Sequence, residues 1–155
     1  MISADIVEFF HNQHFAIIST IDEKGFPHNS CKGIVEMDGS GRVYLLDLYM
    51  AETYKNLLRL PYISITSVDE HKFIGYCLKG KARIIPKGKV NKRILKLWEA
   101  KITNRISHRV LKNMKGEKGH RSHPEALLPL PAYLIAVDVA KIIKLTPHYM
   151  RKTSN

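Results

Sequence analysis

The sequence predicts a mainly β fold: a small antiparallel β-barrel carrying helical additions. Three observations point to it. Six runs rich in β-branched and aromatic residues recur along the chain, at about 15–21, 28–37, 43–47, 63–68, 73–85 and 132–145. Most are joined by short polar or glycine-bearing turns, as in hairpins. Only three stretches switch to helical periodicity. Rolling such a sheet into a barrel also removes its exposed strand edges.

Each element has a local cause. Ile6 to Asn12 reads as a short helix, with Ser3 or Asp5 available as N-cap. Phe15 to Ile21 is the first strand. Asp22-Glu23-Lys24-Gly25 is turn chemistry, with Gly25 free to take positive φ. A second strand runs from His28 to Met37, a hairpin signal follows at Asp38-Gly39-Ser40-Gly41, and Val43 to Asp47 is the third strand. From Ala51 to Leu60 the pattern is helical: Tyr54, Leu57 and Leu58 fall at i, i+3, i+4, and Pro61 ends the element. Ile63 to Val68 and Phe73 to Ile85 are two more strands, split by Asp69-Glu70-His71-Lys72. A long helix is expected from Val90 to Met114, with Ile94, Trp98, Ile102, Ile106, Val110 and Met114 at every fourth position. Lys115 to Pro131 reads as loop, and Ala132 to Leu145 as the closing strand.

The chain has 155 residues, enough for one domain, and 45% are hydrophobic, an ordinary globular balance. Neither a membrane span nor a secretory leader is expected, which points to the cytoplasm. Cys31 and Cys77 form no C-x-x-C and read as free thiols. The net charge of +11 is not spread evenly. Between Lys87 and Arg121 stand twelve Lys/Arg and two acids, or +10, while the remainder has thirteen bases against twelve acids. A near-neutral body with one basic insert argues against a general nucleic-acid binder.

Four stretches in order then carry a family likeness. Gly25-Phe26-Pro27-His28-Asn29-Ser30 leads into the second strand, and Val43-Tyr44-Leu45-Leu46-Asp47 forms the third. Thr53-Tyr54-Lys55-Asn56-Leu57 is followed by Pro61-Tyr62-Ile63-Ser64-Ile65, and Gly75-Tyr76-Cys77-Leu78-Lys79-Gly80-Lys81-Ala82 comes after. Together they resemble the pyridoxamine 5'-phosphate oxidase-like family of FMN-binding split barrels. The likeness covers residues 1–86 and 132–147 and leaves the basic segment 87–131 outside. It implies a six-stranded antiparallel split β-barrel in a single domain, and a homodimer with FMN at the interface. The reading that follows is oxidoreductase activity on a small molecule, and a reduced nicotinamide is one candidate donor that the basic helix could attract. The flavin ring would lie across the second and third strands, and its phosphate near the start of the following helix.

The residues themselves allow two readings at each point. A helix N-terminus suits a phosphate, and Thr53, Lys55 and Asn56 would add a hydroxyl, a charge and an amide; the plain alternative is helix capping by Thr53 and a solvated Lys55. Glu52 departs from the family, where a base is common. Ser30 and Lys32 share one strand face. Some relatives carry a phosphate-binding arginine at the position of Ser30, so charge neutralisation here falls to Lys32 or Lys55. Asn29, Cys31, Leu46 and Asp47 would line the flavin or simply form barrel wall. His108, His120 and His123 lack metal-ligand spacing, and no metal is expected. The basic helix either packs by its apolar stripe with a solvated Lys/Arg face, or acts as an electrostatic funnel for an anionic partner. The rival class is a non-catalytic split barrel that stores or carries FMN or haem. No side chain has the signature of an essential acid or base.

Overall fold

A computed structural model describes residues 1–13, 15–117, 119, 120 and 131–152 of the chain. One seven-stranded, wholly antiparallel sheet dominates it, in the order β2-β1-β5-β6-β7-β4-β3. The strands are β1 (Ala16–Ile21), β2 (Pro27–Lys32), β3 (Ile34–Met37), β4 (Arg42–Asp47), β5 (Tyr62–Asp69), β6 (Ile74–Pro86) and β7 (Tyr133–Lys144). Three α-helices accompany them: α1 (Ala4–His11), α2 (Glu52–Arg59) and α3 (Lys92–Met114). The mainly β split barrel with helical additions is therefore present, with one strand more than expected. The run from His28 to Met37 is broken at Gly33 into β2 and β3. Those two strands are the opposite edges of the sheet, joined through that single residue, so the sheet curls until its edges meet at a seam.

The turns follow the local chemistry. Gly25 has φ +86°, and the Asp22 carboxylate accepts from the backbone N–H groups of Lys24 (2.9 Å) and Phe26 (2.8 Å). Gly41 closes the β3–β4 hairpin at φ +100°. Alternation along β1 buries Ala16, Ile18 and Thr20 and leaves Ile17 exposed.

Two apolar clusters result. The larger fills the barrel with Phe10, Ile18, Leu45, Ile65, Leu78 and Ile135, and α1 closes one end through Ile6 and Phe10. The smaller lies under the first turns of α3, where Val90 and Ile94 meet Val35, Leu46 and Leu134. A register shift between Ile34 and Glu36 gives β3 a bulge, and the bulged Val35 is buried in this second cluster. The apolar stripe of α3 thus packs on the barrel wall through its first half. Farther along, Val110, Leu111 and Met114 are exposed.

Candidate functional site

At the seam lies a cavity of about 580 Å³, within the usual range for small-molecule sites. Its walls come from β2, Gly33, the start of β3, the end of β4, the first turn of α2 and the middle of α3. Strand alternation sets which β2 side chains matter. His28 and Ser30 are partly buried and the Lys32 side chain more fully so, whereas Asn29 and Cys31 are exposed. The register places His28 opposite Thr20 and Ser30 opposite Ile18, both buried, so this trio faces the barrel side of the strand. Asn29 lies on the other face; Cys31 shares that face and contributes to the cavity rim.

The polar groups form two linked sets. The Ser30 and Thr53 hydroxyls lie 3.1 Å apart. One strand position along the same face, Lys32 Nζ donates to Asp47 Oδ2 at 2.5 Å, and both side chains are nine-tenths buried. The Tyr133 hydroxyl donates to the same oxygen at 2.6 Å. Burial pushes the Tyr133 phenol well above its ordinary range, and its bond to Asp47 adds to the shift, so it remains a donor. Removing either charge of such a buried pair is costly, because its partner would be left uncompensated.

Helix α2 presents its N-terminus to the cavity through Ala51, Glu52 and Thr53. Ala51 occupies the N-cap, and no side chain caps the helix. Thr53, buried, points its hydroxyl to Ser30 rather than to the helix backbone. Its first-turn N–H groups therefore have no side-chain acceptor. Glu52, the residue that departs from the family pattern, stands in this first turn, and its carboxylate accepts from Lys55 Nζ at 2.7 Å on the exposed side. Lys55 and Asn56 are not part of the cavity wall. Lys55 is engaged with Glu52, and Asn56 is buried, donating to Thr20 Oγ1 at 3.0 Å and tying α2 to β1. Leu46 and Asp47 both line the cavity.

Helix α3 completes the enclosure with Trp98, Lys101, Ile102 and Arg105, at i, i+3, i+4 and i+7 of one face. Lys101 Nζ donates to the Ile34 carbonyl at 3.0 Å. Burial, and then the neighbouring Arg105 charge, hold the Lys101 ammonium below the ordinary lysine range. The Arg105 guanidinium sits over the Phe15 ring, 5.1 Å from its centroid. It also lies against Gly33 so closely that a Cβ there would be 2.8 Å from its nearest nitrogen. These α3 residues, with His28 and Tyr133, were not among the site residues expected from sequence. The signal for α3 was its apolar stripe, which contains Trp98 and Ile102, with Lys101 and Arg105 beside it. Among the described residues no group of three or more His, Cys, Asp or Glu is arranged to hold a metal ion; His123 lies outside them.

A curled antiparallel sheet of this kind, with a cavity at its seam, defines a split barrel. The chain belongs to the pyridoxamine 5'-phosphate oxidase family, whose model matches residues 2–130 and so runs through α3. No curated protein matches the sequence. Solved structures share the fold at low identity. HupZ of Group A Streptococcus is 21% identical, with a TM-score of 0.63 over 94% of this chain and 95% of its own. A Clostridium acetobutylicum protein of the pyridoxinephosphate oxidase family, related to general stress protein 26, is 15% identical, with a TM-score of 0.56 over 94% of each chain. HutZ, the haem storage protein of Vibrio cholerae, is 15% identical, with a TM-score of 0.52 over 90% of this chain and 91% of its own.

Proposed function

We propose that the protein is an FMN-binding flavoprotein and an oxidoreductase, with the flavin in the seam cavity. The observation that carries this reading is the α2 N-terminus: it opens into the cavity, has no side-chain cap, and stands beside the Ser30–Thr53 hydroxyl pair. That donor set suits a phosphate, since first-turn N–H groups and a partial positive charge attract an anion. Among the described strands the edge strand β2 pairs with β1 alone, which would leave it backbone groups to bond a flat heterocycle. Ser30 and Thr53 would orient the phosphate. Lys32 and Asp47 would flank the ring, with Asp47 held by Tyr133. Trp98 and Ile102 would exclude water from one side. FMN, when bound, supplies the electron transfer; the chain positions and tunes it.

Three further parts of the reading concern context. The outer face of β1 and β5, where Ile17, Tyr62 and Val68 are exposed among Ser19, Ser64 and Thr66, is the surface we assign to a homodimer contact. No helix among the described residues is long and apolar enough to cross a membrane. Both cysteines are free, which fits the reducing cytoplasm. The electron donor would be a small molecule such as a reduced nicotinamide.

A second reading is a haem carrier. His28 lines the cavity and offers a nitrogen ligand, and HutZ, of the same fold, is a haem storage protein. The absorption spectrum of the purified protein separates the two. Denaturation and chromatography of the supernatant should release FMN rather than FAD. A protein that releases no flavin and fails to bind added FMN at micromolar concentration, roughly −8 kcal/mol, sinks the flavin reading. A haem spectrum would replace it with the second.

A further inference from the structure

The cavity's charges do not cancel evenly. Two acids line it, Asp47 and Glu52, and each is engaged: Asp47 holds Lys32, and Glu52 holds Lys55. Among the described residues, the phosphate cradle of α2 thus has neutral donors, and the nearby Lys32 and Lys55 are both committed. On the α3 wall the balance reverses. Lys101 reaches the cavity lining, and among the described residues its ammonium donates to a neutral carbonyl, that of Ile34. The carboxylate nearest in electrostatic influence, Glu36, is taken by both guanidinium nitrogens of Arg93. Arg105 stands one helical turn beyond, adding like charge. A half-buried ammonium with no carboxylate of its own is unfavourable in an empty protein and favourable beside an anion. Room for this arrangement depends on Gly33, whose missing side chain admits Arg105 to the seam.

We propose that Lys101, supported by Arg105, is the anion-recognition point of the cavity and takes an oxyanion, phosphate or carboxylate, borne by the ligand. The inference rests on the cavity being the ligand site. Helix α3 is then part of the recognition machinery, and the chain's basic insert acts through two particular residues rather than through its overall field. In this partly desolvated setting a charge-assisted hydrogen bond is stronger than at a solvated surface lysine.

Trp98, the chain's single tryptophan, lines the same cavity one turn before Lys101 and serves as the reporter. The full chain, freed of small ligands, is titrated with inorganic phosphate at constant ionic strength while Trp98 emission is followed. The wild type should show a saturable change. Lys101→Met, which keeps the alkyl length, should weaken it by about tenfold or more, and Lys101→Arg should stay within about threefold. Thermal melts of both variants check that the fold survives. If Lys101 merely anchors α3 to the Ile34 carbonyl, Lys101→Met melts earlier but binds phosphate as the wild type does, and the proposal is overturned. A wild type with no saturable response overturns it as well. FMN and riboflavin are then titrated against the same variants. A Lys101→Met loss confined to FMN assigns the oxyanion to the cofactor's phosphate and moves that phosphate from the α2 N-terminus to Lys101. A loss for inorganic phosphate with both flavins unaffected assigns it to a second ligand. If neither flavin binds the wild type, the flavin reading fails while the phosphate titration still decides the role of Lys101.

Discussion

Thr53 shows how one side chain can be assigned by what it does not do. A threonine in the first turn of a helix is an ordinary capping residue, yet the α2 N-cap is Ala51, with no side-chain bond to the helix, and the Thr53 hydroxyl meets Ser30 at 3.1 Å. Loss of that hydroxyl therefore should not unwind α2. Thr53→Ala is expected to weaken FMN binding by roughly 10- to 100-fold, as the loss of a hydrogen bond to a charged acceptor, about 1.5–3 kcal/mol, implies. Riboflavin, without the phosphate, should be affected far less. Titrations of both ligands, with a melt of the cofactor-free variant, make the comparison; equal losses would remove the phosphate from this position. Tyr133 illustrates the opposite case, a polar group recognised only from its surroundings. Nothing local distinguishes it from the other tyrosines, but pairing of β4 with β7 sets it opposite Asp47 and brings its hydroxyl to the carboxylate.

At the scale of elements, the break at Gly33 and the seat of α3 belong together. β2 and β3 part at Gly33, and the guanidinium of Arg105 occupies the space a side chain would fill. An added methyl would meet the flexible end of Arg105, not backbone, so the expected cost to the fold is small. Gly33→Ala should change Tm by less than about 4 °C, corresponding to under about 1 kcal/mol. It should nevertheless displace Arg105 from the seam and lower ligand affinity about three- to tenfold. Arg105→Ala removes the obstacle, so the double variant should show clear non-additivity in ligand affinity. Simple addition of the two single effects would mean that Gly33 and Arg105 act independently. The same helix explains the two parts of the basic insert's character: its first half is fixed over the barrel wall by Ile94, with Val90 just before the helix, while Val110, Leu111 and Met114 at its end remain exposed.

For the whole molecule the open question is what covers the β1–β5 face. Ile17, Tyr62 and Val68 are each about half exposed or more on adjoining strands, interspersed with the outward-facing Ser19, Ser64 and Thr66. Light scattering should give twice the 17.8 kDa chain mass. Ile17→Glu, at a position 47% exposed in the single chain, should yield a folded monomer. A wild-type monomer with ligand bound would remove the dimer from the proposal and leave the seam cavity to be completed by one chain alone.

The elements were legible because their causes are local. β-branched runs, the Asp22–Gly25 turn, the Pro61 stop and the period of α3 all act over a few residues, and each is found within a residue or two of its expected place, apart from the division at Gly33. The family likeness was legible for a related reason: four short stretches keep their order and spacing. Ser30, Lys32 and Thr53 could be named as a polar set because strand alternation and helix position limit where side chains point. What sequence could not contain was the pairing across distance. Lys32 and Lys55 were interchangeable candidates for charge, and Asn56 a candidate donor; the register and curl of the sheet bring Lys32 to Asp47 and bury Asn56 against Thr20, whereas Lys55 meets Glu52 within its own helix. Likewise Trp98, Lys101 and Arg105 became cavity wall only when α3 folded back over the seam. Local propensity acts over a turn or a hairpin. Which groups share a cavity depends on how a closed sheet brings residues more than sixty positions apart, such as Ile34 and Lys101, within hydrogen-bonding reach.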